Sequence, residues 1–144
     1  MNLRASPLLC ILGLLSLLGC DPTNNASGPS DAIQGTWYLW AVDTTTIHGR
    51  SVPLTFDGSS HLNGSDMCND FSGEYSSTPT TLSTSGLTTT TMNCILSVYP
   101  GLDSRIDAVI SGTMTWSVQD SFLVLVGSSG EATLRYGRSL PPGP

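Results

Sequence analysis

The sequence predicts a small α+β domain: a curved antiparallel sheet or partly closed β-barrel with one packed helix. Three observations carry this. Short runs with apolar residues at every second position recur along the chain, separated by turn dipeptides such as Asp57-Gly58 and Asn63-Gly64. A single segment, residues 102–110, has its apolar residues at helical spacing instead. The final strand-like runs follow one another closely, as in a C-terminal antiparallel meander.

The first run, Gly35 to Asp43, is apolar on both faces at its middle, where Trp37, Leu39 and Ala41 alternate with Tyr38, Trp40 and Val42. Such a run suits a central strand. Further strands are expected at Val52 to Phe56, Ser59 to Ser65, Phe71 to Ser76, Leu87 to Met92, Gly112 to Val118, Ser121 to Val126 and Ala132 to Tyr136. Gln119-Asp120 and Gly127-Ser128-Ser129-Gly130 mark the turns of the meander. In the helical segment Leu102, Ile106, Val109 and Ile110 share one face, with Ser104, Arg105 and Asp107 on the other. Pro100 suits a first turn, Asp103 lies near the positive end of the helix dipole, and Gly112 ends the pattern.

The N-terminus has a different character. Arg4 precedes an apolar run from Leu8 to Leu18 that ends in Leu17-Leu18-Gly19-Cys20, which resembles a bacterial lipoprotein signal. The alternatives are an ordinary secretory signal with an incidental cysteine, or a buried helix. The run is short of the roughly 20 apolar residues of a membrane span. On the lipoprotein reading, residues 1–19 are removed together with Cys10, and Cys20 becomes a lipidated first residue. Acyl chains contribute about 0.8 kcal/mol per buried methylene, so two or three of them anchor durably. The expected location is the bacterial cell envelope, on its periplasmic or extracytoplasmic face. Asp21 resembles an inner-membrane retention signal of enterobacterial type; that rule varies among bacteria, and the sequence leaves the choice of membrane open.

Residues 20–32 hold no apolar side chain of core size after the cysteine and contain two prolines, so a flexible tether is expected there. Residues 139–144, rich in proline, are expected to be a disordered tail. The intervening residues 33–138 suffice for one compact domain.

The chain contains no lysine and has a formal charge of -6. That excludes the electrostatic footprint of a nucleic-acid binder. Anionic headgroups would not attract it either, so the membrane partnership rests on the N-terminal lipid. Within the mature domain Cys68 and Cys94 make an even pair in an oxidising compartment, which most simply forms a disulfide. A zinc site and a redox dithiol are the alternatives; the pair lacks Cys-x-x-Cys spacing, and only His48 and His61 could supplement the thiols as zinc ligands. Closing this loop would stabilise the fold by about 3 kcal/mol on the chain-entropy model.

No catalytic constellation stands out. Neither histidine lies in a Gly-x-Ser-x-Gly setting, and Asp66 and Asp70 flank a turn, where Asp and Asn are ordinary turn formers. Asp57, Asp66 and Asp70 lack the ligand order of a calcium loop. No enzyme activity, metal or cofactor is therefore expected. Trp37, Tyr38, Trp40, Phe71, Tyr75, Tyr99, Trp116 and Phe122 either fill the core or line a pocket inside a partly open barrel.

Three motifs carry a family resemblance: Cys68-Asn69, then Gly73 and Tyr75, then Thr90, Met92 and Cys94 ahead of the helix. Together with the opening Gly35-Thr36-Trp37 strand and the closing meander, they resemble the META domain family (HslJ-like). The glycine that usually precedes Cys-Asn in that family is Met67 in this chain. The resemblance implies a small mixed α/β, barrel-like envelope domain without a known catalytic activity. It gives Asn69, Gly73, Tyr75, Thr90 and Met92 a structural part. The function expected is a non-enzymatic, lipid-anchored envelope protein serving as a binding or envelope-stress module with an unidentified envelope protein as partner. The alternative is a carrier or sensor of a small apolar ligand in the barrel interior.

Overall fold

The computed structural model describes residues 31–92 and 98–144. The expected signal peptide, Cys20, Cys94 and nearly all of the expected tether lie outside the described residues. The elements are β1 (Gly35–Val42), β2 (Thr45–Thr46), β3 (Pro53–Phe56), β4 (His61–Ser65), β5 (Asp70–Ser77), β6 (Thr81–Thr89), α1 (Leu102–Ile110), β7 (Thr113–Gln119), β8 (Phe122–Gly127) and β9 (Thr133–Gly137). All neighbouring strands run antiparallel, in the order β1-β3-β4-β5-β6-β7-β8-β9, with the short β2 added beside β1. Because β9 also pairs with β1, through Tyr38↔Gly137 and Leu39↔Tyr136, the sheet closes into an eight-stranded barrel. The expected curved sheet is thus a fully closed one.

Side-chain alternation builds the interior. Along β8, Leu123 and Leu125 point inward and are fully buried, while Phe122, Val124 and Val126 on the outer face remain partly accessible. Trp37, Leu39, Leu54, Phe56, Leu62, Phe71, Tyr75, Leu82 and Met114 join them in one continuous cluster. An eight-stranded barrel is just wide enough for side chains to fill. The Tyr136 hydroxyl is buried in this cluster with no hydrogen-bond partner among the described residues, and burial raises its pKa.

The helix forms where its spacing predicts it, and its Leu102, Ile106, Val109 and Ile110 belong to the same core. It packs on β1, β7, β8 and β9. Its N-terminus is set by Gly101 at φ 78°, a left-handed conformation that glycine adopts without a steric cost. Arg105, expected on the solvent face, forms an ion pair with Asp43 just beyond β1.

Two expectations are corrected. The sixth strand is Thr81–Thr89, and Leu87 lies near its end, whereas residues 90–92 are not in a strand. This strand buries Leu82 alone, so it has too little apolar alternation to be seen in the sequence. The two-residue β2 was not expected either; it is exposed throughout. The C-terminal residues expected to fray carry contacts: the Trp40 indole N–H donates to the Ser139 carbonyl (2.8 Å), Gly49 N–H donates to the Pro142 carbonyl (3.2 Å), and Pro141 is buried.

Candidate functional site

The residues that carry the motifs converge where the β4–β5 turn meets the end of β6. Asp66 opens the turn, fully buried, and its Oδ1 accepts the backbone N–H of Cys68 (2.7 Å) and of Asn69 (2.5 Å). This is an Asx-type turn, in which a short acidic side chain replaces backbone partners. It places Met67 at φ 86°. A left-handed residue other than glycine costs about 1–2 kcal/mol, which explains physically why glycine suits this position and what its replacement by methionine entails.

From that turn Asn69 reaches across to the segment after β6. Its Oδ1 accepts the Met92 backbone N–H (2.6 Å) and lies 3.5 Å from the Thr90 hydroxyl, whose oxygen in turn accepts the Asp70 N–H (3.0 Å). Thr90 N–H donates to the Asp70 carbonyl (2.9 Å). Met92 contributes its backbone, since its side chain is 65% exposed. Cys68 is disulfide-bonded, and its sulfur lies 3.4 Å from the Met92 carbonyl; Cys94, the expected partner, is outside the described residues. Together these contacts form a clasp between two loops.

The second motif works one turn of sheet away. Any side chain at Gly73 would meet the Ser85 carbonyl at 2.9 Å and Leu87 at 2.8 Å, where the register between β5 and β6 shifts. Tyr75 is buried; its hydroxyl donates to the Asp57 carbonyl (2.8 Å) and its ring meets Phe56 edge-on at 5.0 Å. Burial, and then the Asp57 charge, raise its pKa. Both residues therefore fix strand packing.

One member of the site was not found from sequence. Asp107, on α1, is half-buried and hydrogen-bonded to Asp66. Burial first, then the charge and hydrogen bond of Asp66, then the charge of Asp103, push its pKa up to about 6 from an ordinary 3.8. Its helix position looked solvent-facing because helical spacing does not show that the β4–β5 turn covers part of the polar face. Asp70 and Asp57 lie apart from this pair: Asp70 is an exposed β5 residue, and Asp57 organises the β3–β4 turn by accepting from the His61 and Ser59 N–H groups, which, with the Ser59 hydroxyl, hold its carboxyl below the usual range. His48 and His61 are exposed, and among the described residues no group of three or more His, Cys, Asp and Glu side chains is placed to hold a metal.

The expected aromatic residues divide. Trp37, Phe71 and Tyr75 are in the core, and Tyr99 and Trp116 pack against it. Tyr38, Trp40 and Phe122 instead lie on the outer wall formed by β1, β8 and β9. There Tyr38 and Phe122 both stand opposite Gly137, Trp40 and Phe122 meet edge-on at 5.2 Å, and the Arg135 guanidinium caps the Phe122 ring at 3.9 Å. On the far side of the barrel, the outer wall of β4, β5 and β6 carries hydroxyls and an amide around a cleft of about 460 Å³, lined by Asn63, Asp70, Phe71, Ser72, Thr88 and Thr90 among others. A smaller cleft of about 340 Å³ lies beside Met67 and Arg50.

The barrel has relatives among solved structures. An NMR structure matches with a TM-score of 0.60 and 23% identity, covering 73% of this chain and 89% of that one. A second, of a protein from Burkholderia xenovorans, matches with a TM-score of 0.55 and 23% identity over 82% of this chain and 96% of its own. At this identity the likeness establishes the fold alone. No curated protein matches the chain. The sequence profile of the META domain matches residues 30–139, which takes in the whole barrel, the helix and every motif residue of the clasp. The chain belongs to the META domain family.

Proposed function

We propose that this protein is a non-enzymatic, lipid-anchored binding module of the bacterial cell envelope. The observation that carries the reading is the part played by the motif residues. Asn69, Thr90 and Asp66 spend their polar atoms on backbone groups of the same clasp, and Gly73 and Tyr75 on strand packing, so they serve the scaffold. Catalysis needs a nucleophile or base aimed at a substrate, and these groups are aimed at the chain itself. The filled interior favours binding on the outside of the barrel over carriage of an apolar ligand within it.

Anchoring rests on Leu17-Leu18-Gly19-Cys20. Lipidation at Cys20 would tie the barrel to a membrane through residues 21–32. The decisive experiment compares the wild type with Cys20→Ser in the native host. The wild type is expected to take up labelled palmitate and partition into detergent, and the variant to remain an unlipidated precursor or become soluble. Equal partitioning of both would refute the anchor. Crosslinking in the intact envelope then identifies the partner.

A further inference from the structure

The outer wall of β4, β5 and β6 is the strongest remaining feature. Asn63, on β4, and Ser72, on β5, face each other in register, and the Ser72 hydroxyl pairs with that of Thr88 on β6 at 3.2 Å. These side chains rim the 460 Å³ cleft, Asp70 and Thr90 of the clasp close one end, and Phe71 and Pro53 contribute apolar surface. Gly64 permits this shape, because any side chain there would meet the Phe71 ring and the Pro53 carbonyl at 2.7 Å. The Asn63 side chain is exposed at this rim.

The chemistry of the lining selects a ligand class. No arginine lines the cleft, the chain has no lysine, and Asp70 is the charged group present, so phosphates and carboxylates are disfavoured. An apolar ligand would desolvate the Asn63 amide without giving it a partner, whereas the Ser72, Thr88 and Thr90 hydroxyls already engage one another or the backbone. The cleft lies over the face of β4 and β5, each paired on both sides, so a peptide cannot add there as a strand; β6 pairs with β7 only through Thr81–Ser83. What remains is a neutral molecule with many hydroxyls and small apolar faces. Hydroxyls both donate and accept, and so does an amide, which matches such a ligand group for group. The volume is that of an ordinary small-molecule site.

We propose that this cleft binds an uncharged saccharide. The inference rests on the reading of the protein as a binding module and names its ligand class. The test uses the full chain, isotope-labelled and purified in a sugar-free detergent, titrated with neutral oligomers of N-acetylglucosamine, of β-linked glucose and of α-linked glucose. At least one is expected to shift the amide signals of Asn63, Ser72, Thr88 and Thr90. Thr88→Val and Asn63→Ala, each checked for an intact amide spectrum, should weaken that binding about tenfold, as expected for one lost hydrogen bond. Arg135→Gln, on the strand opposite in the ring, should leave it unchanged. The proposal is overturned if none of the oligomers binds, if the shifts fall instead around Trp40 and Phe122, or if only a neutral peptide occupies the cleft. Capture of an envelope partner alongside such a result would leave the binding-module reading standing without the saccharide.

Discussion

The two walls of the barrel solve the same problem with different chemistry. Strands β7, β8 and β9 bury Met114, Leu123, Leu125, Leu134 and Tyr136, and the outer face of β8 and β9 carries Phe122 and Arg135, with Trp40 of β1 packed edge-on against Phe122. Strands β4, β5 and β6 bury fewer large side chains, β6 only Leu82, and their outer face is hydroxyl-rich. Apolar area stabilises the first wall at about 25 cal/mol per Å². The second depends more on the clasp, the Cys68 disulfide and side-chain hydrogen bonds. The wall with the hydroxyl-rich outer face is the one in which the motif residues are concentrated, and the one that carries the larger of the two clefts described above.

This contrast can be broken most strongly in the first wall. Leu125→Ala, at a fully buried position of β8, should cost about 2–5 kcal/mol, whereas Thr88→Val on the exposed face of β6 should change stability by less than about 0.5 kcal/mol. Urea unfolding of the two variants measures the difference. Comparable losses would mean that the hydroxyl wall carries more of the stability than its burial shows.

Removing the cross-link probes the second wall. Replacing Cys68 and Cys94 by alanine together should lower stability by about 2–4 kcal/mol, with the clasp loosened and the meander retained. Hydrogen exchange should then quicken in β5 and β6 before β8 and β9. Mass spectrometry of the unreduced protein should find the two cysteines joined, and free thiols at both would refute the pairing.

A smaller effect comes from Asp107. Its pKa in the fold is raised to about 6 from 3.8, so the protonated form is the one the fold favours. The associated stabilisation is full below about pH 3.8 and is lost as pH rises through about 6. Between pH 7.5 and pH 5.5 the wild type should gain less than about 0.8 kcal/mol, the unscreened value for this shift, and Asp107→Asn should flatten that dependence. Asp57 and Glu131, whose values are lowered by hydrogen bonding, act in the opposite sense but at more acidic pH. A wild-type profile that falls on acidification through this window would refute the Asp66–Asp107 contact.

The smallest effect expected is at Met67. Met67→Gly relieves a left-handed residue but removes a partly buried side chain, so a net gain of up to about 1 kcal/mol is expected from thermal unfolding. A loss larger than that would show that packing of the methionine outweighs its backbone strain.

By itself the sequence determined the elements whose signal is local. Period-two apolar runs place β1, β3, β4, β5, β7, β8 and β9, and helical spacing places α1, because burial of one face writes a repeat into the chain. The motifs that identify the family are likewise short and contiguous. Tertiary structure decided what depends on partners remote in sequence. Strand β6 exists because β5 and β7 pair with it, despite one buried leucine. Closure of the ring depends on β9 meeting β1, a pairing of chain ends that no local pattern encodes. The environment of Asp107 is set by Asp66 on another element, and a helical repeat records which face is apolar without recording what covers the polar one.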